Sequence, residues 1–405
     1  MACTTIHGSC LGGIGLLGRE QLTGDWLGLR PALGEHGIAF AGDLANFTQG
    51  VTSGGLERRL RYGGHGDYVT NVDFGKLGIQ EGLFLKVRAE HRYLENVNRD
   101  TGALLPAAVL ADLPATDTND LLLSNVLFTQ MFSEHFGVFF GKLDTLDGDV
   151  NAFAHGRGKT QFMNVGFVAN PIALRTIPYS TLGLGFAVLG EGGEPLVAYT
   201  LMNARDTVDK AGFDELFEDG VAMALEVRLP TQILGLPGHQ LFAGTWNSRD
   251  FVALGQDPRI VLPNIPVNQT SGSWSLYWNF DQYLHVDSGG EGQGWGVFGR
   301  SGIADSESNP LSWFLSFGVG GNSRLLGREA DTFGAGWFVA GISDEVGVLA
   351  QAVLGPLSDG QGVELFYNMA VTPAISITPD LQVIMPARDN VDPSLVLGVR
   401  TVMRL

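Results

Sequence analysis

Ser273–Asp281 reads Ser-Trp-Ser-Leu-Tyr-Trp-Asn-Phe-Asp, and its large apolar residues alternate strictly with more polar ones. Successive side chains of a β-strand point to opposite faces, so one face of this segment is apolar and the other is polar. Large aromatic groups on one face and ionisable groups on the other suit a wall with lipid outside and water inside. The segment therefore predicts a strand of a transmembrane β-barrel.

The same alternation recurs along most of the chain from Ile38 onward, in segments near ten residues that suit tilted membrane strands. The predicted strands are 38–50, 64–75, 79–95, 120–131, 135–146, 180–190, 194–204, 219–230, 239–250, 272–286, 292–302, 311–321, 331–343, 346–355, 360–372, 374–386 and 393–405. Tight turns and long breaks separate them, and the long breaks are 96–119, 147–179, 205–218 and 251–271. Short turns at one rim and long loops at the other are typical of bacterial barrels.

The composition fits a barrel, although by itself it fits a soluble β-sandwich or β-helix equally well. Only 17 % of the 405 residues are charged, against about 25 % in typical soluble proteins, and 57 are glycine. The sequence contains no run of 18 apolar residues, so it predicts no membrane-spanning helix. The sequence has no repeat of fixed period, which argues against a propeller or a β-helix.

The net charge of −18 excludes nucleic acid as an expected partner, because phosphates require a basic surface. The charge is compatible with acidic external loops that hold divalent cations near lipopolysaccharide, and equally with ordinary solubilising charge on loops. Outer-membrane lipid and lipopolysaccharide are therefore the expected surroundings.

The N-terminal part differs from the rest, and we divide the chain into a flexible lead (1–20), a short helix (21–37) and a barrel (38–405). Apolar residues of 21–37 share a helical face and Gly37 ends the helix. The start lacks a cationic region and a cleavage site, so it does not resemble a signal peptide. Cys3 and Cys10 are the only cysteines, which suits a chain that crosses the periplasm without forming disulfides.

The clearest candidates for a solute pathway lie on one strand, where ionisable residues alternate with Leu85, Val87 and Ala89. These candidates are Lys86, Arg88, Glu90 and Arg92. Each would cost about 2–4 kcal/mol in lipid at the membrane midplane, so we expect them to face the lumen. An exposed face of a soluble sheet is the alternative interpretation.

Further candidates follow the same alternation on other predicted strands: Glu226, Arg228, Arg300, Tyr277, Asn279 and Asp281. Opposite charges facing each other across a lumen would create a transverse field, while salt bridges that stiffen the wall are the alternative role. No motif predicts catalysis, because the eight histidines lack metal-ligand spacing and Gly183-Leu184-Gly185 is not a phosphate loop. We therefore expect no catalytic residue, no metal and no cofactor.

The chain resembles the carbohydrate-selective porins of the OprB type, which occupy Gram-negative outer membranes. The resemblance begins at Leu22–Arg30, which is similar to the family's N-terminal TGDWGGLR. It continues in order through Ser53–Leu56, Gly141–Asp144, Gln161–Asn164, Asn170-Pro171, Pro178–Gly183, Asp281-Gln282, Phe366–Asn368, Thr378–Gln382 and Val396–Arg400. The final Leu405 departs from the Phe that usually ends such barrels.

The resemblance implies sixteen strands, passive diffusion of mono- and small oligosaccharides, and an N-terminal helix in or near the lumen. Asp25, Trp26 and Arg30 of that helix would then meet solute. A general porin for other solutes is the first alternative, and an enzyme or sugar-binding β-protein is the second. The sequence leaves open which sugar passes and whether the barrel is a monomer or a trimer.

Overall fold

Sixteen antiparallel strands close into one barrel in the computed structural model, which describes residues 18–256, 265–287 and 292–405. Each strand pairs with its neighbours in sequence, and the last strand closes on the first, with Asp43 opposite Arg404 and Val51 opposite Val396. Closure removes every sheet edge, so the backbone groups of the wall are paired as a membrane requires. The predicted fold class is confirmed.

The strands are β1 Ile38–Ser53, β2 Leu60–Asp73, β3 Leu83–Leu94, β4 Leu122–Ser133, β5 Phe136–Asp144, β6 Ser180–Leu189, β7 Pro195–Asn203, β8 Val221–Ile233, β9 Leu236–Val252, β10 Gln269–Val286, β11 Gly294–Ala304, β12 Leu311–Asn322, β13 Thr332–Ile342, β14 Gly360–Thr372, β15 Ile375–Met385 and β16 Ser394–Arg404. The α-helices of the described residues are α1 Leu29–Glu35, α2 Asn98–Thr101, α3 Val165–Val168 and α4 Val348–Leu354. Short 3₁₀ turns lie at Val109–Asp112, Thr145–Asp147, Gly156–Gly158, Pro171–Arg175, Glu191–Gly193 and Phe213–Glu215. None of these described helices has the length and apolar character needed to cross a membrane.

The alternation in β10 separates an outer and an inner face as the sequence predicts. Trp274 and Trp278 remain exposed on the outside, whereas Tyr277 and Asn279 are buried inside the barrel. The neighbouring strands keep the same register, because Asn279 lies opposite Leu241 on one side and Arg300 on the other. The period of two along each strand therefore decides which side chains reach the lumen.

Two long connections fold into the barrel: loop A is residues 95–121, between β3 and β4, and loop B is residues 145–179, between β5 and β6. Loop B buries Phe162 and Phe167 against inward-facing rings, and Phe162 lies 5.2 Å from Phe298 and 4.9 Å from Phe366 between ring centroids. Loop A buries Leu110 in a cluster with Phe47 of β1. Apolar packing of both loops therefore fills the half of the lumen beside β10–β16 and β1.

One predicted strand, 346–355, is wrong, because this segment contains the helix α4. The strands on either side pair directly with each other, with Ala340 opposite Gly360, so the sheet leaves no place for an additional strand. Ala350, Gln351 and Ala352 favour a helix, and Gly355 with a φ of 87° ends it.

The sequence predicts a short helix over 21–37 in or near the lumen, and the structure has the helix α1 over Leu29–Glu35, at the end of the barrel beside the last residues of the chain. The helix α1 has no buried residue. Arg30 donates to the Leu405 carbonyl over 3.2 Å, and Trp26 packs against Phe40 with 5.6 Å between ring centroids. Phe40 is on the face of β1 opposite to Asp43 and Ala45, which point inward. The lumen beside β1 is already occupied by loops A and B.

Deleting residues 19–36 is expected to leave single-channel conductance unchanged, because α1 lies at the end of the barrel. The deletion removes the bonds from Leu22 N–H and Arg30 to the last two residues, so thermal stability should fall slightly. Planar-bilayer recordings of the deletion variant provide the measurement. A clear increase in conductance would instead place the segment in the pathway.

Candidate solute pathway

Arg157 joins three carboxylates at the centre of the barrel. It lies between two positive-φ glycines, Gly156 and Gly158, and its own φ is 53°. One terminal nitrogen lies 2.8 Å from Asp147 and 3.0 Å from Asp144, and the other lies 2.9 Å from Glu90 of β3. The guanidinium therefore fastens loop B to the barrel wall. Sequence reasoning missed Arg157, since it lies in an irregular segment.

The inward face of β3 supplies the rest of this charge network. Arg88 contacts Asp144 at 2.5 Å and Asp67 of β2 at 3.3 Å. Lys86 contacts Asp147 at 2.6 Å, and these two side chains remain 30 % and 36 % exposed. Lys86 and Asp147 are therefore the members of the network that a solute in the lumen can reach.

The C-terminal half of β3 contacts both loops. Glu90 is fully buried and accepts a bond from the Tyr179 hydroxyl of loop B over 2.5 Å. Arg92 donates to the backbone carbonyls of Asp112 and Thr116 in loop A. The four charged residues of β3 thus hold the two loops in place, and of these Arg88 and Glu90 are buried.

Charge balance keeps the loop-B members of the network ionised. Burial acts to raise the pKa of the Asp147 carboxyl, but Arg157, Arg88 and Lys86 outweigh burial and hold this pKa below its usual range. Burial acts to lower the pKa of Arg157, whereas its carboxylate partners raise it well above the ordinary value. Full charges at these positions strengthen the attachment of the loop.

A second group of inward-facing residues anchors loop B from β10 and β11. Arg300 is 1 % exposed, and it contacts the Asp149 carboxylate at 2.8 Å and the Ala154 carbonyl at 2.7 Å. Asn279 donates to the Asp149 carboxylate over 2.6 Å. Asp281 accepts the Ala152 N–H over 3.3 Å. Arg300, Asn279 and Asp281 are therefore covered by the loop and do not line open water as the sequence interpretation expected.

The remaining candidates from β8 and β10 lie at the margin of the loop. The Tyr277 hydroxyl donates to Glu226 over 3.0 Å, and Glu226 also accepts the Asp149 N–H over 3.3 Å. Arg228 contacts Glu194 at 2.8 Å, near the turn between β6 and β7.

The three candidates near the N-terminus lie apart from all the other candidate residues. Arg30 stacks over Trp26 at 4.3 Å from the ring centroid, and Asp25 accepts the Leu27 N–H over 3.2 Å. Because this segment lies at the end of the barrel, Asp25, Trp26 and Arg30 do not contact the charge network around Arg157.

A cavity of about 830 Å³ lies inside the barrel, between loops A and B on one side and the wall that includes β4, β5 and β7–β9 on the other. Its wall side includes Asn125, Leu127, Thr129, Phe139, Ala198, Thr200, Met202 and Glu226, and its loop side includes Asp149, Asn170, Leu174, Ile177 and Tyr179. Sequence reasoning identified Glu226 on this wall and missed the other residues, because they are uncharged. In the described parts of the chain, no group of three or more His, Cys, Asp or Glu side chains is arranged to hold a metal ion.

Acidification is expected to loosen loop B through His155. Burial, and secondly Arg300, lower the pKa of this histidine, whose Nδ1 lies 3.4 Å from the Val168 carbonyl. A lowered histidine pKa means that the folded state binds the proton less readily than the unfolded chain. The stabilisation is thus complete above about pH 6.5 and falls as pH drops below that value.

Open-channel current noise should therefore increase between pH 7.5 and 5.5, and His155→Gln should reduce that increase. His36→Gln, which changes an exposed histidine in the end segment, is the matched control. An unchanged pH response in the His155 variant would contradict this assignment.

Comparison with known proteins identifies the family. A family model described as carbohydrate-selective porin, OprB family, matches residues 57–405. The high-pH structure of Pseudomonas putida OprB has a TM-score of 0.80 at 19 % identity and covers 96 % of this chain and 99 % of that chain. The low-pH structure of the same protein has a TM-score of 0.60 at 16 % identity, with the same coverage.

A more distant likeness is to Salmonella typhi OmpF in complex with daunomycin, with a TM-score of 0.51 at 7 % identity, covering 92 % of this chain and 99 % of that chain. At these identities the structural likenesses show the fold alone. No curated protein sequence matches the chain. The family match covers most of the chain, and the closed barrel agrees with it. The protein is therefore an outer-membrane β-barrel that belongs to the carbohydrate-selective porins of the OprB family.

Proposed function

We propose that small sugars diffuse through the cavity between loop B and β4–β9, and that this passage selects for size. The observation that carries the proposal is the fixed position of loop B, which narrows the lumen to one side. A volume of about 830 Å³ falls within the roughly 300–1,000 Å³ of small-molecule sites. The passage is therefore closer in size to a ligand site than to a wide aqueous pore.

Groups around the passage supply hydrogen-bond partners for sugar hydroxyls. Asn125, Thr129 and Thr200 line its wall. The charge network adjoins the cavity through Asp144, and its Lys86 and Asp147 are partly exposed. Such groups replace part of a sugar's hydration, while paired charges keep the net field small. Arg88 and Glu90 contribute by holding the loop and do not contact solute directly.

Liposome swelling with sugars of increasing size tests the proposal. Monosaccharides should enter fastest, disaccharides more slowly, and trisaccharides much more slowly, because the loop fixes the width of the passage. The control is the same series with an unrelated wide porin, which should show weaker size dependence. Equal rates for all three sizes would favour the alternative of a general porin on the same barrel.

A further inference from the structure

Two arginines beside the cavity both pack against the aromatic ring of Phe251. The guanidinium carbon of Arg175 in loop B lies 5.0 Å from the centroid of Phe251, and that of Arg249 in β9 lies 4.1 Å from it. Phe251 is 1 % exposed, so the ring is a fixed support. Both arginines line the cavity. We call Arg175 and Arg249 the arginine pair.

The arginine pair lacks the carboxylate partners that the deeper arginines have. Among the described residues, neither of the two forms a salt bridge. Arg175 donates its Nε to the Ser308 carbonyl over 3.0 Å, and the buried Nε of Arg249 has no hydrogen-bond acceptor. Burial lowers the pKa of Arg175 without an opposing anion. Neither guanidinium of this pair therefore contacts a carboxylate of the described residues directly, in contrast to that of Arg157.

Nearby acidic groups are already engaged. Asp206 accepts the backbone N–H groups of Tyr179, Ser180 and Val208 at 2.8, 3.1 and 2.9 Å. Asp219 forms a salt bridge with Arg205, which also borders the cavity. An incoming anion would therefore find two guanidinium groups that have no carboxylate of the described chain in direct contact.

The cavity beneath the arginine pair is unusually apolar for a porin, whose interior is ordinarily polar. Its apolar lining includes Leu127, Phe139, Leu143, Leu174, Ile177 and Met202. Leu143 and Met202 also belong to a packed apolar cluster, so this strip is a continuous surface. Such a surface favours a solute with an apolar body, because contact with the strip removes apolar area from water.

We propose that the cavity binds small amphiphilic carboxylates, whose carboxylate rests on Arg175 and Arg249 while the apolar body lies along the strip below. This solute class goes beyond the neutral sugars of the proposed function. Guanidinium groups bind carboxylates through paired, charge-assisted hydrogen bonds, and a desolvated site strengthens them. The shared ring holds both side chains in place, so little conformational entropy is lost on binding.

Single-channel recordings at pH 7.5 with benzoate, benzyl alcohol and acetate test the proposal. Benzoate should block the current at lower concentration than the other two, because only benzoate carries both the charge and the apolar ring. The double variant Arg175→Gln/Arg249→Gln should weaken benzoate block at least tenfold. Leu174→Asn, at a position 53 % exposed, should weaken block by benzoate more than block by acetate.

The matched control is Arg58→Gln/Arg59→Gln, which removes two exposed charges from the turn between β1 and β2 and should leave benzoate block unchanged. Equal block by benzyl alcohol and benzoate would overturn the proposal, as would equal losses in the control and the arginine-pair variant. Glucose uptake by liposomes is measured in parallel. Loss of glucose uptake with benzoate block retained would overturn only the sugar pathway.

Discussion

Replacing Arg300 by alanine is expected to raise single-channel conductance several-fold. The substitution removes every donor that β11 offers to the Asp149 carboxylate and to the Phe167 and Ala154 carbonyls. Breaking a buried ion pair by removing one partner costs about 3–5 kcal/mol, and here the cost falls on the attachment of loop B. The barrel itself is closed by strand pairing, so the wall should persist while the loop moves.

Planar-bilayer recordings measure the change, and liposome swelling should show that trisaccharides enter the Arg300→Ala channel more readily than the parent channel. Arg324→Ala is the matched control, because Arg324 is exposed and contacts Asp287 at 3.2 Å outside the lumen. Arg300→Lys keeps the charge but loses the planar fork, and should give an intermediate conductance. Unchanged conductance in the alanine variant would show that loop B holds its place without this anchor.

Replacing Arg157 by alanine is expected to make the channel markedly more cation-selective. The guanidinium now compensates Glu90, Asp144 and Asp147, which lie within 3.0 Å of it. Without Arg157 these carboxylates are left with Arg88 and Lys86 as neighbouring cations, so the local field becomes negative. The lost contacts should also let loop B fluctuate, which would increase current noise.

The reversal potential in a salt gradient gives the ratio of cation to anion permeability. Lys210→Ala is the matched control, since Lys210 pairs with Glu215 on an exposed loop and its loss removes the same single charge. Arg157→Lys should restore part of the selectivity of the parent channel. A permeability ratio equal in the Arg157→Ala and control variants would place the network outside the ion path.

The alternation of side chains allowed the wall of the barrel to be predicted from sequence. A strand turns each side chain to the face opposite its neighbour, so local order along β10 places Tyr277 and Asn279 inside and Trp278 outside. The same rule predicts the inward face of β3. It fails at 346–355, where apolar residues without a pairing partner form α4.

The accessibility of inward-facing residues could not be predicted, because it depends on contacts between distant parts of the chain. Arg300 is inward-facing by alternation, yet it is covered by Asp149 and Ala154, about 150 residues earlier. Arg157 and Lys159 meet β1, β2 and β3 only because loop B folds back into the barrel. Irregular segments have no period from which such contacts can be inferred.

The sequence by itself thus determined the class of the protein, the course of its wall and the face on which each strand residue lies, since these follow from a period of two along the chain. Only the tertiary structure decided that loop B occupies one side of the lumen, and that a cavity lies between the loops and the wall beside β4–β9. The physical reason is that strand alternation is local, whereas burial of Phe162 and pairing of Arg157 require surfaces that exist only after the barrel has closed.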